Sequence, residues 1–426
     1  MSTTPKTVTI GTFAPGMDNR RPDFSLRTDK GYLQRNAVNV DLTASGSIKR
    51  RRGYTLTRAG VESHSLWSDD TEAFYAEGTT LYSLSRIAGA LTATAVTTDL
   101  AQGQPVSYWT APEGGTYWTD GRRIERVVSG VSIPLTPPPP ISLPVVVPTD
   151  GFLPVGTYLF AFCTADSAGR ESALSHPVSY QLGVSGAGNG GAIMSCSALP
   201  TGAVALNVYM TTVGGEVLYL AARMLANSSL TIVKPPSGGQ SQTVGLQPMP
   251  AGRIVRHHNG RLLVASGSVL FLSEPFMPGL YNPTSGFIPL PQAITILEPS
   301  SGESQASNGL FLVADQTYWL DSKFPDSELR TVLPYGAISG TSVQRPDASS
   351  VQWMSVRGLV EGSTDGKVVN LQEEHIAVVP TASGASLLRD TNGTRQAITS
   401  LYGTRPDSQA NASSYMEAEI VHRGTP

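Results

Sequence analysis

The sequence predicts an all-β fold, a β-propeller that carries an inserted immunoglobulin-like sandwich domain. Glycine and proline are frequent, at 43 and 31 of 426 residues, whereas charged residues make up only 15%. Such a chain turns often and seldom holds a helix. In addition, a strand–turn–strand unit recurs along the chain, and one interval between its copies is longer than the others by about the size of a domain.

Five copies of this unit can be aligned. In the copy HHNGRLLVASGSVLFL, turn signals at Asn259-Gly260 and Ser266-Gly267 separate two apolar runs. The copies span residues 65–84, 106–127, 257–272, 307–320 and 351–371. Trp67 and Trp109 are 42 residues apart, and the last copies follow at 47 or 48 residues, which is the period of a four-stranded propeller blade. The ends of the chain are less regular, so the number of blades stays open.

The interval from Trp109 to His258 breaks this period, because it measures 149 residues. Removing one blade of about 45 residues leaves roughly 100, the size of an immunoglobulin-like sandwich. The proline-rich run TPPPPISLPVVVP at 136–148 suits a stiff linker, and KPPSGGQ at 234–240 marks the other end. We therefore predict a propeller formed by residues 1–136 and 249–426, with residues 137–248 as the insert.

The C-terminal run Tyr415 to Val421 is expected to close the propeller. An open sheet would leave an unpaired strand edge, which is a liability in an assembly. We therefore predict that this run pairs with an N-terminal strand.

Lys49, Arg50, Arg51 and Arg52 form the only dense basic cluster. They could touch phosphates in a channel or at an interface. A solvated loop, or a contact with an acidic neighbour, is the more common role of such a run. The formal net charge of −3 gives no general sign of nucleic-acid binding.

Other motifs have structural explanations. GAGNGG at 186–191 matches the G-x-G-x-x-G pattern, but a strand pattern follows it where a dinucleotide site needs a helix. His257 and His258 are neighbours on a predicted strand and would point to opposite faces, so they do not make a metal pair. The five tryptophans fall on strands and are expected in blade cores. We predict no catalytic residue, no metal site and no cofactor.

The sequence also gives an expectation for the cellular compartment in which the chain is made. Its two cysteines, Cys163 and Cys196, fit synthesis in a reducing cytoplasm. They are expected to be buried thiols, although a bridge between them is an open alternative. The N-terminal residues lack the pattern of a secretory signal, and the longest apolar runs have about eight residues where a membrane helix needs roughly 20.

Several segments follow one another in a recognisable order. They are GTFAPGMDNR, NAVNVDLTASGSIKRRRGY, GGTYWTDG, the insert segments GTYLFAFCTADSAGRESALS and ALNVYMTTVGGEVLYLAA, then HHNGRLLVASGSVLFLSEP, ASLLRDTNGTRQAI and YMEAEIVHRG. This order resembles that of tail nozzle proteins, also called tail hub proteins, of short-tailed bacteriophages, and the insert is similar to the fibronectin-III-like module of many such proteins. The chain is shorter than many of these proteins, which leaves any extra platform domains in doubt.

The resemblance implies a structural virion protein made in the cytoplasm of the bacterial host and located in the virion tail. Identical subunits, expected to be six, would form a homo-oligomeric ring below the portal and adaptor proteins and near tail fibre, spike or needle proteins. Genomic DNA would pass through the ring during ejection without sequence-specific binding. No active site, small-molecule substrate or membrane anchor is implied.

Two other functions compete with this interpretation. A propeller glycosidase would pair carboxylates at one end of its channel, whereas Asp69, Asp70, Glu373 and Glu374 are scattered over predicted turns. A carbohydrate- or receptor-binding propeller would expose aromatic side chains on loops.

Overall fold

Throughout its described residues the chain is all-β, apart from one 3-10 turn at Asp23–Ser25. The computed structural model describes residues 11–35, 40–43, 45–50, 55–69, 71–182, 190–196, 198–302, 308–321, 323–345, 349–378, 381–391, 394–402 and 420–423. In these ranges no helix is long and apolar enough to cross a membrane. The chain divides into two compact units, one of residues 60–289 and one of residues 1–59 with 290–426.

The N-terminal segment belongs to the second of these units and forms two short hairpins. Its strands are β1 (Arg27–Thr28), β2 (Gly31–Tyr32), β3 (Val40–Leu42) and β4 (Ile48–Arg50). β1 pairs antiparallel with β2, and β3 with β4. The segment is held to a distant loop of the same unit: the backbone N–H of Asn19 donates to the carbonyl of His375 at 3.0 Å, and the Asn19 side chain exchanges two hydrogen bonds with the backbone of Ala377.

The unit of residues 60–289 begins with two four-stranded antiparallel sheets, blades A and B. Blade A consists of β5 (Ser63–Ser68), β6 (Ala73–Glu77), β7 (Thr80–Ile87) and β8 (Ala90–Thr97), and blade B of β9 (Ser107–Thr110), β10 (Thr116–Thr119), β11 (Ile124–Val128) and β12 (Val131–Pro134). In each sheet the strands pair in chain order, as in a propeller blade. The two sheets pack face to face, with Phe74 and Leu81 of blade A against Tyr108 and Trp118 of blade B.

A two-sheet sandwich follows blade B. Its seven strands are β13 (Val147–Thr149), β14 (Gly156–Ala165), β15 (Val178–Leu182), β16 (Gly191–Cys196), β17 (Ala205–Met210), β18 (Tyr219–Met224) and β19 (Ser228–Ile232). One sheet has the order β13-β16-β19 and the other β15-β14-β17-β18. Alternate residues of β14, Tyr158, Phe160 and Phe162, point into the shared core and meet Met194 from the facing sheet.

Blade C comes next and packs directly on blade B, although the whole sandwich separates them in the sequence. Its strands are β20 (Gln247–Pro248), β21 (Ile254–His258), β22 (Arg261–Ser266), β23 (Val269–Glu274), β24 (Met277–Tyr281) and β25 (Phe287–Pro289). The Thr119 hydroxyl of blade B donates to the carbonyl of Gly252 at 2.6 Å, and Tyr117 packs with Val264 in one apolar cluster. The sandwich is therefore an insertion between two packed blades.

The other unit contains three further sheets. Blade D consists of β26 (Ile296–Ser301), β27 (Asn308–Val313), β28 (Thr317–Leu320) and β29 (Arg330–Leu333), blade E of β30 (Val343–Gln344), β31 (Ser350–Ser355), β32 (Gly358–Ser363) and β33 (Val368–Asn370), and the terminal sheet of β34 (Ser383–Thr391), β35 (Thr394–Tyr402) and β36 (Ile420–Arg423). Phe311 and Trp319 of blade D pack against Trp353 of blade E.

These sheets confirm the predicted fold class, an all-β chain of propeller-type blades with an inserted sandwich. Each of the five repeated sequence units lies in a different blade, and the Asn259-Gly260 turn has positive φ at both residues, which is typical of a tight hairpin. The sandwich strands fall inside the predicted insert, whose bounds, residues 137–248, stay a prediction.

The predicted closing strand stays a prediction. Ile420–Arg423 pairs antiparallel with β35, the preceding strand in the chain, and residues 415–419 lie outside the described residues. This pairing uses one of the two edges of the strand, and the prediction concerns the other. The N-terminal segment also contacts the C-terminal half of the chain through the hydrogen bonds of Asn19 with His375 and Ala377.

Candidate interaction surface

Half of the predicted basic cluster is on the described surface. Lys49 and Arg50 are exposed on β4, where Asp41 is the cross-strand neighbour of Lys49. Arg51 and Arg52 lie outside the described residues. Asp41 opposite Lys49 on a short hairpin fits the more common role of a basic cluster, which is contact with an acidic neighbour.

The carboxylates on turns mostly hold the turns together. One oxygen of Asp69 accepts the backbone N–H groups of Thr71 and Glu72, both at 2.7 Å, and the other accepts the hydroxyl of Thr110 at 2.6 Å on the next blade. Burial alone would raise the pKa of Asp69, but these hydrogen bonds outweigh it and lower the pKa. Of the other acids named from sequence, Glu373 pairs with Arg357 at 3.3 Å.

Asp120 plays the same part in blade B. It accepts the backbone N–H groups of Arg122 and Arg123 at 2.9 and 2.7 Å, and that of Ala101 at 2.8 Å. Its pKa is lowered because these donors outweigh the effect of burial. A carboxylate satisfied in this way clamps a loop.

A polar network joins blades B and C near the turn between β9 and β10. Glu113 pairs with Arg126 at 2.6 Å and accepts the phenol hydrogen of Tyr117. Burial, reinforced by this hydrogen bond, raises the pKa of Tyr117. His257 is half-buried close by, and its burial lowers its pKa while the Glu113 charge opposes that shift. The network has a single carboxylate, whereas glycoside hydrolysis uses two.

The histidine pair and the tryptophans lie as the sequence predicts. His257 is on the face of β21 that packs against blade B, and His258 is buried on the opposite face, where burial lowers its pKa to about 4. Trp118, Trp319 and Trp353 are buried. Trp67 and Trp109 are half-buried and pack in the clusters between blades. The described residues hold no group of three or more His, Cys, Asp or Glu side chains that could hold a metal ion.

Both cysteines are free and buried, Cys163 in β14 and Cys196 in β16. Burial raises the pKa of both thiols. They act as small apolar side chains in the sandwich, and the alternative of a bridge between them is wrong.

The sandwich also displays an apolar surface that sequence reasoning missed. Ile141, Leu143, Val145 and Val147 occupy alternate positions of the segment that leads into β13. All four are exposed, with Val145 at 71%, while the intervening Val146 is buried. We call these four exposed residues the apolar stripe. The sequence ISLPVVVP carries this alternation, but its prolines favour a linker. The sequence alone does not decide between an exposed apolar surface and a linker, because that depends on what the segment packs against.

A cavity of about 450 Å³ lies between the apolar stripe and β16. Leu143, Val145 and Val147 line one side, and Ile193, Met194 and Cys196 line the other. All its described lining residues are uncharged. Exposed apolar side chains beside a concave, neutral surface are typical of a protein–protein contact, and this is the candidate interaction surface.

Comparison with known proteins gives only remote likenesses. No family model matches the chain, and no curated protein matches it. Among solved structures, the extracellular domain of BT4673 from B. thetaiotaomicron has 10% identity and a TM-score of 0.32, covering 89% of this chain and 49% of that one. The chain thus spans about half of that structure.

Two further structures are similar over most of their length. YCF48 bound to D1 peptide has 12% identity and a TM-score of 0.28, over 81% of this chain and 93% of that one. KlHsv2 with loop 6CD replaced by a Gly-Ser linker has 8% identity and a TM-score of 0.28, over 84% and 95%. At these TM-scores the likenesses carry no argument, so the fold assignment depends on the strand order.

Proposed function

We propose that this chain is a structural subunit of the tail nozzle, or tail hub, of a short-tailed bacteriophage, and that identical copies, six in number, form a ring around the path of the ejected DNA. The observation that favours an assembly protein is the apolar stripe with its cavity. A monomer seldom leaves so many aliphatic side chains exposed together, because water penalises each of them. The segment order of the sequence directs the proposal to tail nozzle proteins.

In this role the chain is a passive conduit and joint. Portal and adaptor proteins would lie above it, and tail fibre, spike or needle proteins nearby. A tight grip on DNA would hold the genome back, since each phosphate contact adds affinity. The net charge of −3 suits a channel that lets DNA pass, and Lys49 and Arg50 are too few to form a strong site by themselves.

The mass of the purified particle tests the ring. Six copies of the 45.0-kDa chain have a mass of about 270 kDa, which mass photometry and light scattering both resolve from the monomer. We expect that mass, and a six-fold ring with a central opening in negative-stain images. A chain that stays at the monomer mass at micromolar concentration, and also when its neighbouring tail proteins are added, would contradict the proposal.

DNA binding tests the conduit. Replacing Lys49, Arg50, Arg51 and Arg52 with Ser should leave binding to duplex DNA weak and nonspecific, as in the unmodified chain, and any defect should concern assembly. Fluorescence anisotropy with a labelled duplex near physiological salt measures this. Sub-micromolar binding that disappears in the substituted chain would show that the cluster grips DNA.

A further inference from the structure

The strand pairing of β16 is incomplete on one side. Its ladder with β19 runs to the pair Cys196 and Ser228, whereas its ladder with β13 ends at Val147 and Ile193. Within the described part of the chain, Met194, Ser195 and Cys196 therefore pair with β19 alone. An open strand edge of this kind is a template for another strand.

The linker leaves β16 for a physical reason. If the ladder between β13 and β16 continued in the same register, Val145 would lie opposite Ser195. However, the backbone N–H of Val146 donates to the Tyr180 hydroxyl in the facing sheet at 3.4 Å, and the ladder with β16 ends at Val147. Pro144 has no N–H to donate to a ladder. The linker is thus drawn away from β16, and the cavity opens in the gap.

The chemistry of this gap defines its occupant. The open edge requires an extended backbone, and the apolar stripe requires apolar side chains at alternate positions, because only those point to one face. Since the described lining has no charged residue, the occupant should be neutral where it enters. A charge placed there would be desolvated without a partner.

One segment outside the described residues has this pattern. Residues 7–10 read TVTI: all four are β-branched, none is charged, and Val8 alternates with Ile10. β-branched residues favour strands. Four residues also match the short length of the open edge. The other long segment outside the described residues, 403–419, contains Arg405, Asp407 and Glu417 and does not fit.

We propose that Thr7–Ile10 of a neighbouring copy adds as a strand to the open edge of β16, with Val8 and Ile10 in the cavity against the apolar stripe. The proposal rests on the proposed function in taking the segment from a second copy, since a ring needs contacts between copies. In this arrangement each insert receives the N-terminal segment of one neighbour.

The test uses the full chain with Val8→Asp and Ile10→Asp, so that its own segment cannot compete, and a fluorescent peptide TPKTVTIGT corresponding to residues 4–12. We expect saturable binding by anisotropy and slower amide exchange at Met194–Cys196. Adding Val145→Asp should weaken binding at least about tenfold, because it places a charge against the peptide. The matched control is Val204→Asp, an equivalent change at another exposed valine of the sandwich, which should leave binding unchanged.

Absence of saturable binding would overturn the inference, as would binding that both valine variants weaken equally. The mass of the particle separates this inference from the proposed function. If the unmodified chain forms the ring and the Val8→Asp, Ile10→Asp chain keeps it unchanged, the strand exchange is wrong and the ring stands. If the peptide binds as expected but no ring forms with any tail protein, the strand site stands and the ring proposal fails.

Discussion

The buried carboxylate of Asp18 should contribute far more stability than the exposed carboxylate of Asp23 in the same N-terminal segment. Asp18 is 0% exposed and accepts the N–H groups of Arg20 and Arg21 at 3.0 and 2.9 Å. Its other oxygen contacts Arg21 Nε at 3.0 Å and His375 Nδ1 at 2.9 Å. Asp23 makes one ion pair and its side chain is 84% exposed.

The two substitutions to alanine differ in magnitude for this reason. Asp18→Ala removes the acceptor of two backbone N–H groups and of the Arg21 guanidinium. Because the Arg21 side chain is 41% exposed and can be hydrated, the cost is that of lost hydrogen bonds to a charged group, about 1.5–3 kcal/mol. Asp23→Ala removes an exposed ion pair, which is worth about 0–1 kcal/mol. Because the chain has two compact units, a single global unfolding curve is not the right measure.

Amide hydrogen exchange at Asn19 and Ala377 is the suitable assay, since both amides hydrogen-bond across the contact between the N-terminal segment and the distant loop. Asp18→Ala should speed their exchange about 10- to 150-fold, at about 1.4 kcal/mol per tenfold. Asp23→Ala should change it less than about fivefold. Equal effects of the two substitutions would refute the reasoning.

The pH dependence has a definite sign. Burial alone would raise the pKa of Asp18, but hydrogen bonds from Arg21, His375 and Arg20 outweigh it and hold the pKa below 3.8. A carboxylate whose folded pKa is lowered stabilises the fold above its unfolded pKa and loses that contribution as pH falls through the folded value. The difference between the unmodified chain and Asp18→Asn should therefore shrink as pH falls below about 4.

Three further predictions concern the interior. Arg170→Met should destabilise the sandwich by about 1–3 kcal/mol, measured by amide exchange of its strands, because the guanidinium donates to the carbonyls of Pro134, at the end of β12, and Leu135 at 3.2 and 2.9 Å; unchanged exchange would contradict this clamp. Gly309→Ala should cost about 1–3 kcal/mol, since a Cβ there would lie 2.1 Å from a buried tryptophan ring, while Gly239→Ala, with open space around it, is the control that should be neutral. Cys163 and Cys196 should resist maleimide in the native chain and both react in urea, and a reductant should leave the thermal midpoint unchanged; a mass two units below that of the dithiol would show a bridge.

The blades could be predicted from sequence because the information that forms them is local. Asn259-Gly260 adopts the positive φ values of a two-residue hairpin turn, and apolar alternation on either side sets which face of the sheet is buried. The size of the insert could be predicted for a similar reason, since a regular period makes one long interval visible. The blade signals lie within about 50 residues, and the insert is visible because one interval, of 149 residues, exceeds that period.

The features that the sequence analysis missed depend on contacts between residues that are far apart in the chain. Asp18 and His375 meet across 357 residues, and no periodicity relates them. Val145 and its alternating neighbours have the sequence of a linker. Only the hydrogen bond from the Val146 N–H to the Tyr180 hydroxyl shows that this segment lies on the sandwich.

The turn carboxylates also bear on which chemistry these blades could support. A general acid near neutral pH needs a raised pKa, which comes from burial without compensating donors. Asp69 and Asp120 are partly or fully buried, yet their donors lower the pKa, and the pKa of Asp365 is lowered by Lys367 and Ser363. Each of these carboxylates stays ionised at neutral pH, and its oxygens accept hydrogen bonds that fix its own turn and, for Asp69 and Asp120, a neighbouring segment as well. Glycosidase chemistry would therefore have to use other acids, whereas a rigid set of loops is what a ring subunit requires for constant contacts with its neighbours.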